Sequence, residues 1–320
     1  MIDAITIISG LVILFLGGES LIKGSISVAR HMKISQILVS SVIVGFGTSM
    51  PEMTVSIDAI FRNTPEIAIG NVIGSNIANI LFILGISALI SPFYLKVELI
   101  KRDVVVMLAA TFVLCLFGML GSLNFIHGIC MILLLIAYIT YSYFEDKKRS
   151  SCNANSQNIS STDSEIEEVK NLNLPISILF CIIGIGLLIA GASLFLTGSI
   201  SIANRFNISK EVIGLGIVAV GSCLPELSTA IIASYKKHGN IIIAGIVGSN
   251  IFNILSIVGV MSLMREITIP DNIVKFDLWV FLGSTLALSF MLLKGLRFNR
   301  FVGFGFLATY IVYFYALFSS

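Results

Sequence analysis

Two glutamates stand where an apolar chain can least accommodate a charge. Glu52 ends the stretch Val44-Gly-Phe-Gly-Thr-Ser-Met-Pro-Glu52, and Glu226 ends Ile217-Val-Ala-Val-Gly-Ser-Cys-Leu-Pro-Glu226. They lie 174 residues apart, as do Ser75 and Ser249, Asn76 and Asn250, and Asn79 and Asn253, so residues 17 to 90 recur at 191 to 264 without a gap. An ionised carboxylate deep in an apolar helix is expensive and is a functional candidate by default. A second copy at the same place in a repeat makes a packing accident a poor explanation. The neighbours of both glutamates are oxygen donors. Thr48, Ser49 and Ser222 bring hydroxyls about one turn earlier. Pro51 and Pro225 each remove a backbone donor and break the helix, and Gly45, Gly47, Gly214, Gly216 and Gly221 loosen it further. Carbonyls freed in this way can coordinate a cation, and irregular backbone survives at membrane depth only where it lines a cavity or is buried in protein.

The partner stretches read Gly70-Asn-Val-Ile-Gly-Ser-Asn-Ile-Ala-Asn79 and Gly245-Ile-Val-Gly-Ser-Asn-Ile-Phe-Asn253. Gly70 with Gly74, and Ala244 with Gly248, permit close helix approach. Ser75 and Asn79, like Ser249 and Asn253, are four residues apart and share a helix face. The combined set is carboxylate, carbonyl, hydroxyl and amide oxygen without clustered His or thiolate, which is the set hard cations such as Ca²⁺ and Na⁺ prefer. Cys223, next to Ser222, puts a thiol near the same path. Asp58 and Glu19 are weaker candidates, because their counterparts are Ile232 and Ser193 and the acid is not duplicated. His31, His127 and His238 fall near expected loops and have no metal spacing.

These residues require a membrane-spanning helical scaffold. Of the 320 residues, 56% are hydrophobic and 12% charged, against about 25% charged in soluble domains. Runs of about 20 apolar residues recur along the chain, as in a polytopic helical membrane protein. The net charge of +2 gives no basis for nucleic-acid binding. The five cysteines form no CxxC pair, so neither a disulfide framework nor a zinc site is indicated. No HExxH, GxSxG or P-loop supports an enzyme, and no cofactor or obligate protein partner is evident.

Ten spans are expected, at 4–25, 36–60, 66–90, 103–121, 126–144, 174–197, 209–235, 240–264, 275–293 and 299–318. The first lacks a basic n-region and a cleavage site and is read as retained. A polar stretch from Glu145 to Asn173 divides the chain into a first repeat over 1–145, a linker over 146–173 and a second repeat over 174–320. Five spans per half is an odd number, so the two motifs, at 44–79 and 217–253, enter the bilayer from opposite faces. Of the 20 Lys and Arg residues, 15 fall on the side reached after the first span and 5 on the other. The positive-inside rule then puts the linker in the cytoplasm and both termini outside.

At these residues the chain resembles the cation/calcium antiporter superfamily, specifically the sodium/calcium exchangers of prokaryotic type. The resemblance covers both repeats and rests on Gly-Thr-Ser-x-Pro-Glu with Gly-Ser-Asn-x-x-Asn in near duplicate. It implies exchange of Ca²⁺ for Na⁺ across the cell membrane by alternating access. By motif match the calcium-binding carboxylates fall on Glu52 and Glu226. The other oxygen ligands fall on Thr48, Ser49, Ser75, Asn79, Ser222, Ser249 and Asn253, with carbonyls from Gly45 and Ala219. The site lies between spans 2, 3, 7 and 8, and spans 1 and 6 slide against that core. Two departures stand out. Cys223 replaces a hydroxyl residue, and Asn253 replaces the aspartate of some members, including the potassium-dependent branch. A proton/calcium exchanger using the same glutamates and, from another class, a glutamate-lined cation channel are the competing readings.

Overall fold

The computed structural model describes residues 2–32, 34–94, 97–154, 173–205 and 219–319. Helices dominate them. They are α1 (Ile2–Met32), α2 (Gln36–Thr48), α3 (Met50–Phe61), α4 (Pro65–Ile90), α5 (Val97–Met119) and α6 (Phe125–Ala154), then α7 (Leu174–Arg205), α8 (Ala219–Ser222), α9 (Leu224–Tyr235), α10 (Gly239–Met264), α11 (Ile273–Leu293) and α12 (Arg300–Ser319). One short antiparallel pair, β1 (Ser122–Leu123) with β2 (Ile267–Thr268), ties the α5–α6 connection to the α10–α11 connection.

Among the described residues, seven helices are long and apolar enough to cross a membrane, and the pair α2 and α3, bent by 41°, makes an eighth. The chain is therefore a multi-pass helical membrane protein. Helix α5 has 23 residues and carries Glu98, Lys101, Arg102 and Asp103 in its first turns. The expected span 209–235 begins outside the described residues, which resume with α8 and α9. Helix α6 runs on to Ala154, into the stretch read as a polar linker, whose residues 155–172 lie outside the described residues.

Burial ranks the helices. The spanning part of α10 is 94% buried and that of α4 is 72% buried, against 11% for α12. These two helices carry the Gly-Ser-Asn-x-x-Asn stretches. At the centre, a Cβ on Gly248 of α10 would lie 2.1 Å from the Ser41 carbonyl of α2, and one on Gly45 would lie 2.8 Å from the Gly248 backbone. Backbone therefore meets backbone where α2 crosses α10. Helices α1 and α7 pack antiparallel through glycines seven residues apart on each: Gly10, Gly17 and Gly24 against Gly191, Gly184 and the Ser177–Cys181 turn. A Cβ on Gly17 would stand 2.9 Å from Leu188 N, and one on Gly184 would stand 2.6 Å from Leu21 N. Between apolar helices in lipid there is little hydrophobic drive to associate, so such close approach supplies the attraction.

Candidate cation site

Each glutamate begins a half-helix. Helix α2 stops at Thr48, Ser49 leaves helical geometry (φ −81°, ψ 3°), and α3 restarts at Met50 with Pro51 in its first turn. In the second copy, Cys223 has nearly the same dihedrals (φ −83°, ψ 4°), and α9 restarts at Leu224 with Pro225 following. Proline has no N–H to give the carbonyl four residues back. Glu52 and Glu226 therefore occupy the first turn of α3 and of α9, where the unpaired N–H groups carry partial positive charge. On the facing helices, Asn79 and Asn253 each open a π-helical turn, Asn79–Ile83 and Asn253–Val258. Such turns recur at functional sites, because they widen the helix and release a backbone group.

The tertiary fold brings these four segments together and interleaves the two repeats. Ser49 donates to Glu226 Oε1 at 3.3 Å. The Thr48 and Ser249 hydroxyls lie 3.1 Å apart, and both approach the Gly45 carbonyl, at 3.4 and 3.2 Å. Asn253 Nδ2 donates to Ser75 Oγ at 3.2 Å, and Asn79 Nδ2 to Asn250 Oδ1 at 3.0 Å. Thr48, Ser49, Glu52, Ser75, Asn79, Ser222, Glu226, Ser249 and Asn253 are all buried. Gly45 supplies a carbonyl that these hydroxyls already engage. Ala219 opens α8, and its side chain lies outside the described residues. Cys223 is buried, with Sγ 3.9 Å from Ser222 Oγ, and faces the Glu52 carboxyl.

What remains unpaired defines the chemistry. Both oxygens of Glu52, Oε2 of Glu226, and the Oδ1 atoms of Asn76, Asn79 and Asn253 are buried without a hydrogen-bond partner. All six are acceptors. The amide nitrogens of the same asparagines are bonded to Val72 O, Asn250 Oδ1 and Ser75 Oγ. A buried carboxylate without a donor is strongly unfavourable unless a cation compensates it. Among the described residues no three His, Cys, Asp or Glu side chains converge as a metal cluster. The donor set is thus two carboxylates with neutral oxygens. A narrow cleft of about 10 Å³, lined by α2, α9 and α10, runs beside Thr48, Glu226 and Ser249 towards Ala233 and Ile241.

The weaker candidates sit elsewhere. Asp58 pairs with Arg62 on an exposed turn, and Glu19 pairs with Lys23 and Lys236. Two features of the site's surroundings escaped the sequence reading. Asp103 and Asp277 are also 174 apart and buried; Asp103 accepts from Tyr138 at 3.2 Å, and Asp277 from Tyr313 at 2.9 Å. The repeat offset alone would have found them. Asn71, whose counterpart is Gly245, donates to the Glu52 carbonyl at 3.2 Å and to Ser56 Oγ at 3.0 Å.

Comparison with known proteins bears on this geometry. The sequence model of the family described as sodium/calcium exchanger protein matches residues 2–144 and 176–319. The antiporter CaxA of Alkalimonas amylolytica is 32% identical, with 100% of each chain covered. The sodium/calcium exchanger MaX1 of Methanosarcina acetivorans is 28% identical, with 99% of each chain covered. A solved structure of the sodium-calcium exchanger NCX_Mj, soaked with zero Na⁺ and Ca²⁺, superposes with a TM-score of 0.83 at 28% identity and covers 98% of both chains.

Proposed function

We propose that the chain, which belongs to the sodium/calcium exchanger protein family, exchanges Ca²⁺ for Na⁺ across the cell membrane by alternating access, with Glu52 and Glu226 holding the same Ca²⁺. The observation that carries this reading is the set of six buried acceptors without donors: three carboxylate oxygens of Glu52 and Glu226, and the amide oxygens of Asn76, Asn79 and Asn253 on the facing helices. One Ca²⁺ neutralises both carboxylates, and carboxylate, amide and hydroxyl oxygens are its preferred ligands. Thr48, Ser49, Ser75, Asn79, Ser222, Ser249 and Asn253 complete the oxygen set, with the carbonyls of Gly45 and Ala219.

Exchange follows from electrostatics. An empty site leaves two carboxylates uncompensated in a low dielectric, which opposes the change of access. A carrier loaded with Ca²⁺ or with several Na⁺ escapes that penalty, so only loaded forms cross. Na⁺ is favoured over H⁺ as the counter-ion because protonating two carboxylates calls for none of the hydroxyl and amide oxygens. Ten spans in two inverted halves, 1–145 and 174–320, let the motifs approach the site from opposite faces. The basic residues support a cytoplasmic 146–173 segment and external termini.

Uptake of radiolabelled Ca²⁺ into proteoliposomes tests the reading. A Na⁺ gradient should drive it and a pH gradient alone should not. The reverse result would establish the proton/calcium exchanger, and flux that needs no counter-ion would establish a channel. Retention of near wild-type exchange by Glu52→Gln or Glu226→Gln would end the shared-site assignment.

A further inference from the structure

A carboxamide can present either end to its surroundings, and only the oxygen end can bind a cation. Asn79 and Asn253 serve the site only if their NH₂ groups are held away from it. Both side chains are buried, and in both the oxygen is the atom without a hydrogen-bond partner. The orientation is fixed by groups that have no choice of role. The Asn76 carbonyl can only accept, and Asn250 Nδ2 donates to it at 3.5 Å. Asn250 therefore faces Asn79 with its oxygen, which accepts from Asn79 Nδ2 at 3.0 Å. Asn79 must then give its nitrogen to Asn250, and its own oxygen stays free. A second chain runs through Ser75. The Ser75 hydroxyl donates to the Val72 carbonyl at 3.1 Å, so towards Asn253 Nδ2, at 3.2 Å, it can only accept. Both chains start from a backbone carbonyl of α4 and end on an unpaired amide oxygen.

We propose that Asn250 is a positioning residue for the cation site: it takes up the Asn79 NH₂ group and so leaves the Asn79 oxygen to the cation. Its own amide is engaged at both ends, nitrogen on Asn76 and oxygen on Asn79. The repeat offers Asn76 as the equivalent holder of Asn253, but the two copies have parted. Asn76 Nδ2 turns back to Val72 O of its own helix, at 2.6 Å, and Ser75 holds Asn253 instead. Of this pair, only Asn250 reaches across from α10 to α4. Asn250 is fully buried, so bulk water does not stand ready to take the Asn79 NH₂ in its place. Without that acceptor the Asn79 amide can turn end for end, and an NH₂ group in a ligand position repels a cation. Partners that orient a metal ligand in this way are worth about 10- to 100-fold in affinity. This inference rests on the exchange reading, which makes Asn79 a Ca²⁺ ligand.

Ca²⁺ binding to the purified full chain, measured by titration calorimetry in Na⁺-free detergent solution, tests it. Asn250→Ala and the near-isosteric Asn250→Leu should each weaken Kd about 10- to 100-fold. The leucine variant keeps the volume, so its loss does not come from a cavity, and it stands in if Asn250→Ala does not fold. A double-mutant cycle separates positioning from packing. Asn79→Ala should weaken Kd by itself, and adding Asn250→Leu should weaken it no further, because no amide remains to be turned. A purely structural role predicts an equal further loss in that background, or a lower unfolding temperature with unchanged Kd. Wild-type Kd in both Asn250 variants, or the same fold-loss with and without Asn79, would overturn the proposal. Failure of the exchange reading has a different signature: Glu52→Gln would then bind Ca²⁺ as tightly as the wild type, whatever the Asn250 variants do.

Discussion

Glu52→Gln should affect the empty and the loaded protein with opposite signs. In the empty protein Glu52 is fully buried and neither carboxylate oxygen has a partner. Replacing it by a neutral amide removes an uncompensated charge from a site whose carboxylate oxygens have no donor. The ion-free variant should therefore unfold at a higher temperature than the ion-free wild type. In the loaded protein the same change removes one of two charges facing Ca²⁺. Breaking a buried charge pair costs about 3–5 kcal/mol, which weakens Ca²⁺ binding by roughly 10² to 10⁴. Ca²⁺ at 100 times Kd stabilises the wild type by about 2.7 kcal/mol; a hundredfold weaker Kd leaves about 0.4 kcal/mol at the same concentration. Glu226→Gln should show the same pattern with a smaller gain when empty, because Ser49 already satisfies Oε1. The assay is thermal unfolding in detergent with and without Ca²⁺. Equal Ca²⁺ stabilisation of wild type and Glu52→Gln would refute the reasoning, and so would a lower unfolding temperature for the empty variant.

Gly248→Ala should destabilise the protein by about 1–3 kcal/mol through overpacking, because its Cβ would meet the Ser41 carbonyl at 2.1 Å, while Gly245→Ala, with its nearest atom at 3.8 Å, should be nearly neutral; parallel thermal unfolding compares them. A small thiol reagent should reach Cys223 and inhibit exchange, and bound Ca²⁺ or Na⁺ should slow the reaction, since the thiol faces the Glu52 carboxyl; undiminished exchange after complete modification would move this residue off the path. With both asparagines neutral, the site carries only the charges of Glu52 and Glu226. Exchange of about three Na⁺ per Ca²⁺ would then move one net charge per cycle, worth about 2.3 kcal/mol per 100 mV. A negative interior should favour Ca²⁺ export and no K⁺ should be required, which flux measurements at clamped potentials in K⁺-free liposomes, with choline as replacement, will decide.

Much of this protein is determined by its sequence alone, because a repeat offset and an apolar run are properties of the linear chain. The offset of 174 picks out Glu52 with Glu226, Ser75 with Ser249 and Asn79 with Asn253. The chemistry of those side chains alone points to a hard cation. The helix breaks at Ser49 and Cys223 were equally legible, since each precedes a proline by two residues. The same offset also relates Asp103 and Asp277, although no motif surrounds either.

Which oxygens are paired was decided only in three dimensions. Ser49 meets Glu226, Thr48 meets Ser249, and Asn79 meets Asn250, over separations of 177, 201 and 171 residues. No local spacing encodes such contacts, because they depend on how four helices cross. That crossing depends on whether glycine lets backbones touch, as at Gly45 and Gly248. Asn71 and Gly245 are a visible mismatch in the repeat, but only the packing of α3 on α4 turns that amide into a bridge, and only the packing of α9 on α10 leaves its counterpart as a cleft.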